Sequence, residues 1–162
     1  MCSRNKVLIF GLGSDILTDD GIGSTVVHQL QQESLLNHCD FKTALLFNLD
    51  LVKEFESYEL IIIIDATLSK TKSTGEISIN HMSDFIDTLH LSNIHETSFI
   101  NMVDFWKKLG FKIPDDIYVI SIVIKEFSVF SDSMSEEIQR KYNQIFQTVL
   151  DWIKSKSSAL SH

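Results

Sequence analysis

The sequence predicts a single α/β domain: a three-layer sandwich whose mostly parallel, twisted sheet of about five strands, one an antiparallel edge strand, carries helices on both faces. Three observations predict it. Short runs of β-branched and aromatic residues at 6–10 (KVLIF), 60–64 (LIIII) and 117–124 (IYVISIVI) read as strands covered on both sides. Stretches with apolar residues at the helical period lie between them. Parallel neighbours require crossover connections, and this alternation of strand and helix supplies them.

The elements follow in order. The first strand ends at Gly11, and residues 11–20 (GLGSDILTDD) form an acidic, turn-like loop before Ile22, Val26, Val27 and Leu30 adopt helical spacing. A second strand is expected over 41–47 and a short helix over 49–55. The central strand 60–64 is expected to stop abruptly at Asp65. After a polar turn at 70–75 (KTKSTG), the alternation in 76–80 (EISIN) predicts the antiparallel edge strand. Residues 81–95 have no firm period, whereas Phe99, Met102, Val103, Trp106 and Leu109 mark one face of a helix closed by Gly110. A turn with Pro114 leads into the last strand. The final helix has apolar positions Ile138, Tyr142, Ile145, Val149, Trp152 and Ile153, with Ser133 and Glu136 as its capping box. The small polar residues 155–162 predict a frayed tail to a domain spanning 1–162.

Composition narrows the function. Hydrophobic residues are 44% and charged residues 22% of 162, with one proline and six glycines, as in a folded globular protein. Acidic residues outnumber basic ones by 22 to 14, and a formal charge of -8 repels a phosphate backbone, so no nucleic-acid partner is expected. Cys2 and Cys39 have neither metal-ligand nor disulfide-framework spacing, which suits a reducing, cytoplasmic compartment. The apolar run 7–10 is too short for a signal-peptide core and no stretch approaches a membrane span, so no membrane association is expected.

Ligands of such sheets bind beyond the carboxyl ends of strands, where strand order reverses, which directs attention to the loops after the first and third strands. Gly11-Leu12-Gly13 invites a dinucleotide reading. The third glycine of that fingerprint would fall at Ile16, however, and Asp15, Asp19 and Asp20 stand where a phosphate would lie. Asp19 and Asp20 at a helix start are more often caps than ligands. Asp65 is expected to project from the strand end into the same crevice, with a strand-end turn residue as the plainer reading. Two converging carboxylates repel unless one is protonated or a divalent cation joins them. His95, in a loop before a helix, is the candidate third ligand and His90 its rival. Two oxygens and one nitrogen suit a borderline divalent ion and leave positions for water or a partner's ligand, without selecting nickel over zinc. Ser14, Ser24 and the cysteines have no evident base beside them, which disfavours an acyl-enzyme.

Taken together, residues 11–23 (GLGSDILTDDGIG), 61–66 (IIIIDA) and the His95-Glu96 segment resemble, in order and spacing, the hydrogenase maturation proteases. That family carries a G-x-G-N-x-L-x-x-D-(D/E)-G-x-G loop, an apolar strand ending in Asp-Ala and a (S/T)-x-H-(E/Q) segment, which supply three metal ligands. The resemblance runs from Lys6 to the last helix and places Asp20, Asp65 and His95 as both metal ligands and catalytic residues. Asp19, His90 and Glu96 are candidates for assisting roles. Ser14 in place of Asn, the charge of Asp15, and Asn93 in place of Ser or Thr are departures that remove no ligand but bear on substrate subtype. The resemblance implies an endopeptidase, of aspartic type by family label, that removes the C-terminal extension of a nickel-iron hydrogenase large-subunit precursor after nickel insertion. Nickel would arrive with the precursor, other divalent metals substituting in the isolated protein, which is expected to be a monomer. The alternatives are a non-catalytic metal-sensing or chaperone-like binder and, behind it, a small nucleotide-binding protein.

Overall fold

Strand β1 (Val7–Leu12) and strand β3 (Leu60–Leu68) are so uniformly apolar that only a central position between two layers suits them, and every residue of β1 is buried. They pair in parallel from Val7 with Leu60 to Gly11 with Ile64. The computed structural model describes residues 7–14, 18–45, 49–86, 102–125 and 133–158. Strand β2 (Cys39–Ala44) lies parallel on the outer side of β1, and β5 (Asp116–Ile124) lies parallel on the other side of β3. Strand β4 (Ile77–His81) closes the sheet antiparallel to β5, giving the order β2-β1-β3-β5-β4. The mostly parallel sheet with one antiparallel edge strand is the one expected from the sequence.

Alternate residues of each strand serve different layers. On one face Ile9, Ile62, Ile64 and Ile122 pack against Ile22, Val26 and Leu30 of helix α1 (Ile22–Leu30) and against Ile145, Val149 and Ile153 of the long terminal helix, α5 (Glu136–Ser157). On the other, Leu8, Phe10, Ile61 and Ile63 pack against Phe55 of α2 (Leu49–Phe55), Met82 of α3 (Met82–Ile86) and Val103 and Trp106 of α4, which is helical over 102–108. The Phe55 ring meets Phe10 and Trp106 edge-on, with centroids 6.2 and 6.5 Å apart, the arrangement that ring quadrupoles favour.

Helix α4 closes as its glycine predicts. Gly110 adopts φ 91°, its N–H donates to Lys107 O (3.0 Å), and the Phe111 N–H donates to Trp106 O (3.2 Å), the paired bonds of a Schellman motif. A turn with Gly75 at φ 84° precedes β4. There the Glu76 N–H donates to Ser73 O, the Gly75 N–H donates to Val123 O, and the Val123 N–H donates to Glu76 O. Two residues therefore face one, as in a G1-type bulge.

Several boundaries differ from expectation. Strand β2 begins at Cys39, two residues before the expected 41, because Val7 offers a pairing partner there; expected strand positions 46 and 47 lie outside the described residues. Strand β3 does not stop at Asp65 but runs to Leu68, since β5 continues to offer backbone partners as far as Ile124. The cap of α5 is Ser135 rather than Ser133: its hydroxyl accepts the Ile138 N–H at 3.4 Å. The tail expected to fray from 155 stays helical through Ser157, which is buried, and its last position is held by packing rather than propensity.

Candidate functional site at the switch between strands one and three

The chain leaves β1 toward β2 on one side and later returns through β3 on the other, so the strand order reverses between β1 and β3. Connections diverge at such a point, which is where open α/β sheets place their ligand sites. Glycines bring the α1 N-terminus down onto that edge. A β-carbon at Gly23 would stand 2.4 Å from both Leu12 O and Ile64 O, and one at Gly11 would stand 2.8 Å from Gly23 O. Gly13, at φ 136°, lies against the backbone carbonyl of Asp20, which leaves no room for a side chain.

This closure folds the acidic loop back on itself. The Ser14 N–H donates to Asp20 Oδ2 at 2.8 Å, and Asp20 stays half-buried. Neither Asp19 nor Asp20 caps α1, contrary to the plainer expectation; its N-cap is Gly21, with no side-chain cap bond. Asp19 has a different task. It is 1% exposed, and its two carboxylate oxygens accept the Ser135 N–H (2.8 Å) and the Ser135 hydroxyl (2.7 Å). Buried Ser24 donates to Gly13 O at 3.5 Å, so its hydroxyl ties the loop rather than waiting beside a base.

Asp65 sits one residue beyond the last β1 partner, Ile64, but remains inside the β3–β5 ladder opposite Ser121. Ile61 and Ile63 belong to the α4 layer and Ile62, Ile64 and Ala66 to the α1 layer, so alternation sets Asp65 toward the α4 side. It therefore leaves the sheet by its face, next to the edge, rather than from a strand end. Asp65 is half-buried and Ser121 is 2% exposed. Asp20 and Asp65 thus flank one switch point, while His95, His90, Glu96 and Asp15 lie outside the described residues. No group of three His, Cys, Asp or Glu among the described residues is placed to hold a metal ion. The site's carboxylates are oxygen donors of the kind that divalent ions take, and a carboxylate already holding the Ser14 N–H leaves no welcome there for a phosphate.

Sequence reasoning missed Ser135 and Ser121. Ser121 carried a signal, as the one polar residue in the run 119–124; Ser135, 116 residues from its partner, carried none.

The model of the hydrogenase maturation proteases, HycI, matches residues 25–152, a span that includes Asp65 and His95 and begins after Asp20. The chain belongs to the hydrogenase maturation protease family. Members of the family are peptidases, so the chain is placed among hydrolases. The chain is similar to hydrogenase maturating endopeptidase HybD from E. coli, with TM-score 0.72, 16% identity and coverage of 93% of each chain. It is similar to NiFe hydrogenase maturation protease HybD from Thermococcus kodakarensis, with TM-score 0.73, 22% identity and coverage of 91% of this chain and 98% of that one. HycI from the same organism aligns with TM-score 0.65, 18% identity and coverage of 94% and 95%. At these identities the likeness to solved structures establishes a shared fold. No curated protein matches the sequence. No helix among the described residues is long and apolar enough to cross a membrane.

Proposed function

We propose that this hydrogenase maturation protease removes the C-terminal extension of a nickel-iron hydrogenase large-subunit precursor, and that Asp20, Asp65 and His95 recognise nickel already seated in that precursor. What supports this reading is that the Asp20 loop packs against Gly13 just beyond β1 while Asp65 follows the last β3 residue paired with β1, so both acids lie at the switch between these strands. Nickel belongs to the substrate. The two carboxylates offer it hard, anionic oxygens and the imidazole a borderline nitrogen, a set that leaves positions for the ligands the precursor keeps. Cleavage then depends on correct loading, because an empty precursor brings nothing to hold the acids together against their mutual repulsion. With the precursor anchored, the scissile peptide is held near a water that the site activates and the substrate ion polarises.

The experiment is incubation of the protein with nickel-loaded and nickel-free precursor, followed by intact mass. The reading expects loss of the C-terminal segment from the loaded precursor alone and no loss with folded Asp20→Ala or Asp65→Ala. Undiminished cleavage by both variants overturns the ligand assignment. Binding of the loaded precursor without any change in its mass points instead to a non-catalytic metal-sensing role.

A further inference from the structure

We infer that Asp19 is a positioning residue, and that its clasp on Ser135 fixes the loop that presents Asp20. The inference rests on the reading of Asp20 given above and adds to it the device that aims this side chain. A carboxylate that is 1% exposed needs compensation, and Asp19 makes no ion pair with a described cation. Its compensation comes from the start of α5: the Ser135 N–H and hydroxyl each reach one oxygen, at 2.8 and 2.7 Å. The same hydroxyl accepts the Ile138 N–H, so the serine caps its own helix while holding a residue 116 positions away. The positive end of a 22-residue helix then faces the anion.

What the clasp holds is the adjacent residue. Asp19 and Asp20 are consecutive, the Asp20 backbone lies against Gly13, and Asp20 Oδ2 takes the Ser14 N–H at 2.8 Å. The Ser14 bond engages Oδ2, and on the reading above Oδ1 is the oxygen that meets the ligand. With Asp19 anchored on one side and Ser14 on the other, the Asp20 side chain has little freedom to turn away. Two neighbouring acids therefore divide the work: one is held by internal hydrogen bonds, the other kept available.

The test compares Asp19→Asn, Ser135→Ala and Ser135→Thr with Val149→Ala, which opens a cavity in α5 away from the loop and serves as a control for lost stability. Two readouts are used: amide hydrogen exchange at Ser14 in the full-length protein, and kcat/KM for cleavage of nickel-loaded precursor. The inference expects Asp19→Asn and Ser135→Ala to speed Ser14 exchange and to lower kcat/KM by about tenfold or more. Ser135→Thr should restore both, and Val149→Ala should change neither despite its lower Tm. Unchanged Ser14 exchange in Asp19→Asn, or a parallel loss of both readouts in Val149→Ala, overturns the clasp. If exchange responds as expected while Asp20→Ala still cleaves at the wild-type rate, the clasp stands and the ligand role of Asp20 fails.

Discussion

Gly23 faces the carbonyl oxygen of Ile64 so closely that a β-carbon on the glycine would stand 2.4 Å from it. The first turn of α1 thus rests on β3 where its pairing with β1 ends, one residue before Asp65. Leu12 O lies equally close, so both obstacles are backbone and neither can turn aside. Gly23→Ala should therefore destabilise the protein by about 3 kcal/mol, as overpacking does. Chemical denaturation would show this as a lower midpoint, and cleavage should fall with it because α1 must lift from the switch point.

Gly110→Ala makes the opposite case. Nothing lies within 4 Å of a β-carbon there, so the expected cost is only that of an L-residue at φ 91°, about 1 kcal/mol. Gly110→Asn should cost less than the alanine variant when melting temperatures are compared, since asparagine tolerates this region.

Asp65→Asn keeps the shape of the side chain and removes its charge. The variant should fold with β3 and β5 still paired, since the ladder at Asp65 and Ser121 is made by backbone. Cleavage of nickel-loaded precursor should drop by about a hundredfold or more, because even partners of metal ligands typically account for 10–100-fold. Full activity in a folded Asp65→Asn protein would count against the carboxylate as a ligand.

Burial pushes the Cys39 thiol from 9.0 up to about 12, with the nearby Ser157 hydroxyl opposing and the Asp40 charge adding to the rise. The native thiol thus stays protonated where the unfolded one ionises. Its contribution to stability is complete below pH 9.0 and is lost as pH rises toward about 12, by up to roughly 1.4 kcal/mol per pH unit. Urea midpoints across that range should fall, and Cys39→Ala should flatten the slope. A native protein that reacts with a thiol reagent at pH 8 as fast as the unfolded chain would contradict this burial.

The sheet was legible because its signals are local. A run such as 60–64 can be satisfied only by two covering layers, and the alternation of 76–80 predicts a strand with two unlike faces. What was not legible depends on partners distant in sequence. Asp65 looked like a strand end because apolar residues stop there, but strand length is decided by the backbone of β5, which runs on to Ile124. Asp19 looked like a cap for α1 because it stands three residues before Ile22, yet its carboxylate is taken up by Ser135. The α5 helix outlasts its polar-looking end because Ser157 is packed in the interior. In the candidate site, Asp20 and Asp65 are proposed from the motif and their place in the sequence, while the contacts that Asp19 and Ser14 make around Asp20 were invisible.

The bulge at Gly75 sets the phase of β4. By placing two residues opposite Val123, it absorbs the odd residue and lets Ile77 and Ile79 alternate inward against the α1 and α5 layer. An insertion of one residue between Gly75 and Ile77 would rotate the strand by half a pleat, turning both isoleucines toward the α3 side and Ser78 and Asn80 into the apolar layer. A single flexible residue thus acts as the parity bit of an entire edge.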